Sequence, residues 1–207
     1  KDYRPKSSSL SSGQVLPEPY PHEKARLIVR EMADQLSLEL VEKGLVCSQF
    51  VLDIGYDAEN LSAPAQQRSY HGLTKTDRYG RAVPAAAHGS ANLSVPASSA
   101  RILMQTAAEV FDRIADSRLS VRRVTVTAAG LLRQEEAQLV GGDQLDFFGN
   151  YAAHQQQKAE LERELSGQQA IVALRQKYGK NAVFRGMDLQ EGATTKDRNG
   201  QIGGHKA

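Results

Sequence analysis

The chain has 207 residues, 26 basic and 24 acidic side chains, a net charge of +2 and 40% hydrophobic residues. That length suits one domain of moderate size with added material, or two small ones. The near-balance of charge excludes a polycationic chain that holds nucleic acid by bulk charge; any such affinity must come from where Arg and Lys sit. A single cysteine, Cys47, excludes an internal disulfide framework and suits a reducing cytosol. No apolar run reaches the length of a membrane span or secretion signal, so a cytoplasmic protein with no membrane partner is expected. With five Phe, seven Tyr and no Trp, aliphatic residues must carry the packing.

Residues 1–6 are charged, contain Pro5 and read as a linker from a longer chain. The hydroxyl-rich, weakly alternating stretch 7–16 predicts an edge strand that Pro17, Pro19 and Pro21 stop. Residues 22–43 predict a helix, because Ala25, Ile28, Met32, Leu36 and Leu40 recur at three-to-four spacing and Gly44 follows. A second strand is read over 46–56, with Val46, Phe50, Leu52, Ile54 and Tyr56 on one face and Gln49 and Asp53 on the other. Residues 57–80 are polar and aperiodic, which predicts a long loop. The Ala-rich stretch 81–95 falls where a third strand is needed. A helix capped by Ser98 or Ser99 runs to Asp116 with Leu103, Ala107, Val110 and Ile114 inward. Residues 120–132 are the clearest strand, with Val124, Val126 and Ala128 facing one way and Arg123, Thr125 and Thr127 the other.

That succession is an α+β ferredoxin-like split β-α-β-β-α-β unit: a four-stranded antiparallel sheet with two helices on one face and the other face free. The domain is expected to span residues 7–133. A peptide and linker over 134–151, a helical extension over 152–190 and a Gly-rich tail over 191–207 follow. Within the extension, separate helices are read at 152–165 and 168–178. The tail is expected to be mobile or docked on another part of a larger protein.

No catalytic constellation can be assembled. Asp53 and Asp57 lack a third carboxylate at metal-binding spacing, and His22, His71, His88, His154 and His205 are scattered, so no metal site is expected. Nothing near Cys47 in sequence would lower its pKa, which favours a buried apolar thiol. The basic residues do show a pattern. Arg122 and Arg123 open the last strand, Lys75, Arg78 and Arg81 cluster before the third, and Ser7, Ser8 and Ser9 bring hydroxyls and amides to the first. With Thr125, such groups suit phosphate oxygens, which position a duplex without reading its sequence. A solvated sheet edge accounts for the same charges. The face lacks the exposed aromatics that base stacking on a sheet requires.

Between Gly141-Gly142 and Gly149-Asn150 lies Gln144-Leu145-Asp146-Phe147-Phe148, a segment of docking-peptide character. The flanking glycines free the backbone to extend, Gln144 can bond at a pocket rim, and Leu145 and Phe148 would fill an apolar cleft. A short strand packed on the chain's own core is the other reading of the same residues.

Taken together, these motifs resemble the C-terminal part of a bacterial Y-family translesion DNA polymerase of the UV-damage repair type. Pro5 to Ser9 with Gly13-Gln14-Val15-Leu16 is similar to that family's linker and first little-finger strand. Arg81-Ala82-Val83-Pro84 with His88-Gly89-Ser90 is similar to its third strand, and residues 121–126 to its fourth, where paired arginines meet phosphates. Gln144 to Phe148 resembles its sliding-clamp peptide, with Phe147 in place of the more usual aliphatic residue, and residues 201–207 resemble the tail of this branch. The resemblance implies a little-finger domain that grips primer-template duplex DNA, His88 included, and a clamp-binding peptide. It also implies service in translesion synthesis, DNA repair and the SOS response. The palm carboxylates, fingers and thumb are absent from these residues, so nucleotidyl transfer and its Mg ions would belong to the rest of a parent polymerase. A ferredoxin-like adaptor for an acidic protein is the alternative from another class.

Overall fold

The computed structural model describes residues 9–62, 70–140, 151–202 and 205–206. Its centre is a four-stranded antiparallel sheet in the order β1-β6-β2-β5, formed by β1 (Ser9–Tyr20), β6 (Val121–Arg133), β2 (Leu45–Tyr56) and β5 (Ala87–Ala97). Because β1 and β2 each pair antiparallel with β6, they run parallel to one another with β6 between them. Likewise β5 and β6 run parallel with β2 between. The result is two interlocked split β-α-β units, the α+β fold that the element succession predicts.

Helices α1 (His22–Glu42) and α2 (Ala100–Ile114) are the crossovers, and they pack on each other and on one face of the sheet. Ile28, Met32 and Leu36 of α1 meet Leu103, Ala107, Val110 and Phe111 of α2. Both rows lie over Phe50, Leu52, Ile54, Val124, Val126 and Ala128, all of them buried. Period 3.6 on the helices and period 2 on the strands thus meet in one core. Gly44 ends α1 with φ of 63°, a left-handed conformation that glycine adopts without Cβ strain. Ser99 caps α2 by accepting a hydrogen bond from the Ile102 amide at 3.2 Å.

The structure departs from the sequence reading in four places. First, β1 continues through Pro17 and Pro19 to Tyr20. As an edge strand it has one side free of ladder bonds, and its register with β6 breaks between Val15 and Tyr20, so the missing N–H groups cost little. Second, the expected loop over 57–80 holds a 3₁₀ turn (Ala58–Leu61) and strand β3 (Thr74–Thr76). Strand β3 pairs with β4 (Ala82–Pro84) in a separate hairpin arm. Arg81 therefore belongs to the arm, and the third sheet strand begins at Ala87.

Third, after the short helix α3 (Gln134–Val140), the extension is one helix, α4 (Tyr151–Tyr178), not two. The glycine cost at Gly167 is offset by contacts on either side of it. Glu164 accepts from Ser99 Oγ at 2.7 Å and from the Arg101 amide at 2.9 Å. The buried Gln168 amide donates to Ser37 Oγ at 3.2 Å and to the Ser98 carbonyl at 3.0 Å. Fourth, residues 185–199 dock on the domain itself. They include a 3₁₀ turn (Gly186–Leu189) and the short helix α5 (Thr195–Asn199). Arg185 Nε donates to Asp34 at 2.6 Å, the Thr194 amide to Glu31 at 3.0 Å, and Lys24 Nζ to Glu191 at 2.8 Å. Arg198 bonds Ser12 Oγ. Strands β7 (Gln201–Ile202) and β8 (His205–Lys206) pair with each other. Among the described residues no helix is long and apolar enough to cross a membrane.

Candidate nucleic-acid interface

Helices and extension occupy one side of the domain and leave the opposite sheet face open. Register aligns its residues in rows across the strands. Ser11, Thr127, Val51 and Ser90 form one row, and Gly13, Thr125, Asp53 and His88 the next. A further row pairs Val15, Arg123 and Gly55 near the end of the sheet. The face is mostly hydroxyl, amide and small side chains, with Ser11 and Thr127 sharing a hydrogen bond at 2.9 Å and Gln49 donating to Asn92 at 3.0 Å. Arg123 and Thr125 are clear of the helices, as alternation along β6 requires.

Arg122 arrives by a different route. Gly55 is opposite Arg123 and Tyr56 is opposite Val121, so Arg122 is the extra residue of a β-bulge. Strict alternation would send it to the helix side. The bulge lets two adjacent arginines line the same cleft at the sheet end. There Arg122 Nε stands 3.5 Å from Asp57, which also accepts from the Glu59 amide at 2.8 Å. Asn60 ties this turn to the start of β6. Its carbonyl oxygen accepts from the Ser120 amide at 2.8 Å and its amide donates to the Ser120 carbonyl at 2.9 Å. Arg123 has no ion-pair partner among the described residues.

The hairpin arm forms the other wall of this cleft, whose volume is about 1140 Å³. Its tip, Asp77-Arg78-Tyr79-Gly80, is a turn organised by one carboxylate. Asp77 accepts from the Tyr79 amide at 2.8 Å, the Arg81 amide at 2.9 Å and Arg81 Nε at 2.9 Å. These donors, the Arg81 amide above all, hold the Asp77 carboxyl below the usual range. Gly80, at φ of 80°, closes the turn. Tyr79 is 66% exposed, with the Arg78 and Arg81 guanidinium carbons 4.7 and 5.3 Å from its ring centroid.

Of the residues the sequence singles out, the fold brings Arg78, Arg81, Arg122, Arg123 and Thr125 to one cleft. Ser9 lies on the open face at its far end, opposite Ala129. His88 is on the open face too, and its Nδ1 is 2.7 Å from Asp53 Oδ1, so one ring nitrogen is already engaged. Lys75 is exposed on β3 outside the cleft lining. Ser7 and Ser8, and the segment Gln144, Leu145, Asp146, Phe147 and Phe148, lie outside the described residues. Cys47 is buried as expected. Its thiol donates to the Ala97 carbonyl at 3.5 Å, and burial pushes its pKa up to about 11, which makes it unreactive. Nothing in the periodicity marks Tyr79 or Asn60. The turn signature Asp77-x-x-Gly80 between two short β-prone runs is the signal that would have exposed the arm. Among the described residues no group of three or more His, Cys, Asp or Glu is placed to hold a metal ion.

Fold and face together define an α+β module with one helical layer and one uncovered polar sheet surface, rimmed by arginine at one end. Residues 7–143 match the impB/mucB/samB family C-terminal domain, and the chain belongs to that family: it carries the C-terminal region of a Y-family DNA polymerase, the translesion and repair class. No curated protein matches the chain.

Proposed function

We propose that this domain, as the little finger of a Y-family polymerase, grips the phosphate backbone of primer-template duplex DNA with its open sheet face and with Arg122 and Arg123 at its end. Residues Gln144–Phe148 would tether the parent enzyme to the sliding clamp. One observation carries the DNA reading: the bulge at Arg122 directs two neighbouring arginines to one end of an uncovered face lined with hydroxyls. Guanidinium groups suit phosphate oxygens, and serine and threonine hydroxyls add short-range partners that read no sequence. Tethering to the clamp raises local concentration without new DNA contacts. On this reading the chain acts in the cytoplasm, and the Mg ions of nucleotidyl transfer belong to the palm of the parent polymerase.

Duplex affinity is expected to fall linearly with salt on a log–log plot. The double variant Arg122→Ala with Arg123→Ala should shallow that slope by roughly two units, about 0.9 per phosphate contact. An unchanged slope removes the DNA face from the proposal. Separately, Gln144→Ala with Phe148→Ala should abolish calorimetric binding to purified clamp and leave duplex affinity intact. Full clamp affinity in that variant would assign those residues to another role.

A further inference from the structure

The cleft between arm and sheet end differs in chemistry from the rest of the open face. Asp57 is committed to its turn and to Arg122, Asp77 to the arm, and Asp53 to His88. With these three carboxylates internally engaged and Glu59 the remaining acid of the lining, the groups left to meet a ligand are Arg123 and the arm's Arg78–Tyr79 pair, in which Arg78 donates to the Tyr79 hydroxyl. Small apolar groups of Val15, Gly55, Ala82 and Val83 make up much of the remaining lining. A duplex backbone offers phosphates to the arginines but nothing for an exposed aromatic ring standing off the sheet. An unpaired base offers both a flat π-face and a phosphate on each side.

The Asp77 hydrogen bonds fix the turn backbone on either side of Tyr79, which lowers the ordering cost of using its ring as a platform. The neighbouring guanidinium groups add planar cationic surface on which a base also stacks. We propose that this cleft takes an unpaired nucleotide of single-stranded DNA, its base stacked on Tyr79 and its flanking phosphates held by Arg78 and Arg123. The proposal rests on the DNA-binding reading above and adds to it a second, single-strand subsite beside the duplex grip.

The test uses the full chain and two probes at one salt concentration, an oligothymidylate and a blunt duplex. Tyr79→Ala should weaken oligothymidylate binding about tenfold, the loss of one stacked base, while duplex affinity stays within twofold. Tyr79→Phe keeps the ring and should bind the oligonucleotide like the parent chain. An oligothymidylate carrying 4-thiothymidine, irradiated in the complex, should crosslink to the peptide containing Tyr79. Oligothymidylate affinity indifferent to Tyr79→Ala overturns the subsite, as does a crosslink mapped away from the arm. Equal losses for both probes would assign the arm to the duplex grip and overturn it too. If Tyr79 proves irrelevant while Arg122 and Arg123 still set the duplex salt slope, only the subsite falls. If neither probe binds the chain, the broader DNA reading falls with it.

Discussion

The outer side of α1 and the open face of the sheet both carry charged and polar side chains, yet the fold treats them oppositely. On α1, Glu31 and Asp34 are 1% and 2% exposed. The chain's own strap, residues 185–199, covers them and supplies partners in Arg185 and Thr194. On the sheet, Arg123 and Thr125 face outward and no segment among the described residues covers them. Burial of a carboxylate is costly unless it is paired, so the strap and α1 require one another. Exposed arginine carries no such debt and is free for an outside anion. Polar residues on a surface therefore report function only where the chain has not already used them.

The largest expected effect breaks the covered side. Arg185→Ala leaves Asp34 without its cation in a buried site, and should cost about 3 kcal/mol in denaturant unfolding or in exchange protection of the strap. The Asp34→Asn change should recover much of that loss, since it removes the stranded charge. A loss below 0.5 kcal/mol would mean that the strap is held by other contacts and that the contrast between the two faces is overstated.

A smaller effect concerns pH. Burial is the main cause that raises the pKa of both Glu31 and Asp34. For Glu31 the Thr194 and Thr195 groups only partly oppose it, and Oε1 is left without a hydrogen-bond partner among the described residues. For Asp34 the neighbouring Arg185 opposes it. A carboxyl raised in the folded state contributes stability that is complete below its unfolded value, about 4, and is lost as pH rises through the folded value. Strap protection, corrected for intrinsic exchange, should therefore be greater at pH 5 than at pH 7. Glu31→Gln should flatten that difference. Protection that rises with pH would reverse the assignment. The smallest effect belongs to the open side: Arg123→Ala should leave the unfolding free energy within about 0.5 kcal/mol of the parent, as for a surface group with no ion-pair partner among the described residues. A larger loss would show that Arg123 holds the fold together and is not held in reserve.

Periodicity laid out both crossover helices and the two central strands, whereas the third strand was placed only by the order of its neighbours and begins at Ala87. Ile28, Met32 and Leu36 at helical spacing, and Val124, Val126 and Ala128 at strand spacing, declare their buried faces because local geometry sets those repeats. Strand succession then left one sheet face bare, and Arg123 and Thr125 on it could be read from alternation. Arg122 could not, since a bulge depends on how β6 meets β2 and overrides the alternation. The arm was hidden because its strands are three residues long and leave no periodic trace. Tyr79 was hidden with it. The strap was illegible for a further reason. A mostly polar segment whose few apolar residues, Met187 and Leu189 among them, show no period carries no hydrophobic signal, and its docking rests on single long-range bonds such as Arg185 to Asp34, which exist only once α1 is in place. Local repeats are written in the sequence one residue at a time, whereas bulges, short arms and polar docking come from pairings between distant segments, and only the assembled fold decides those.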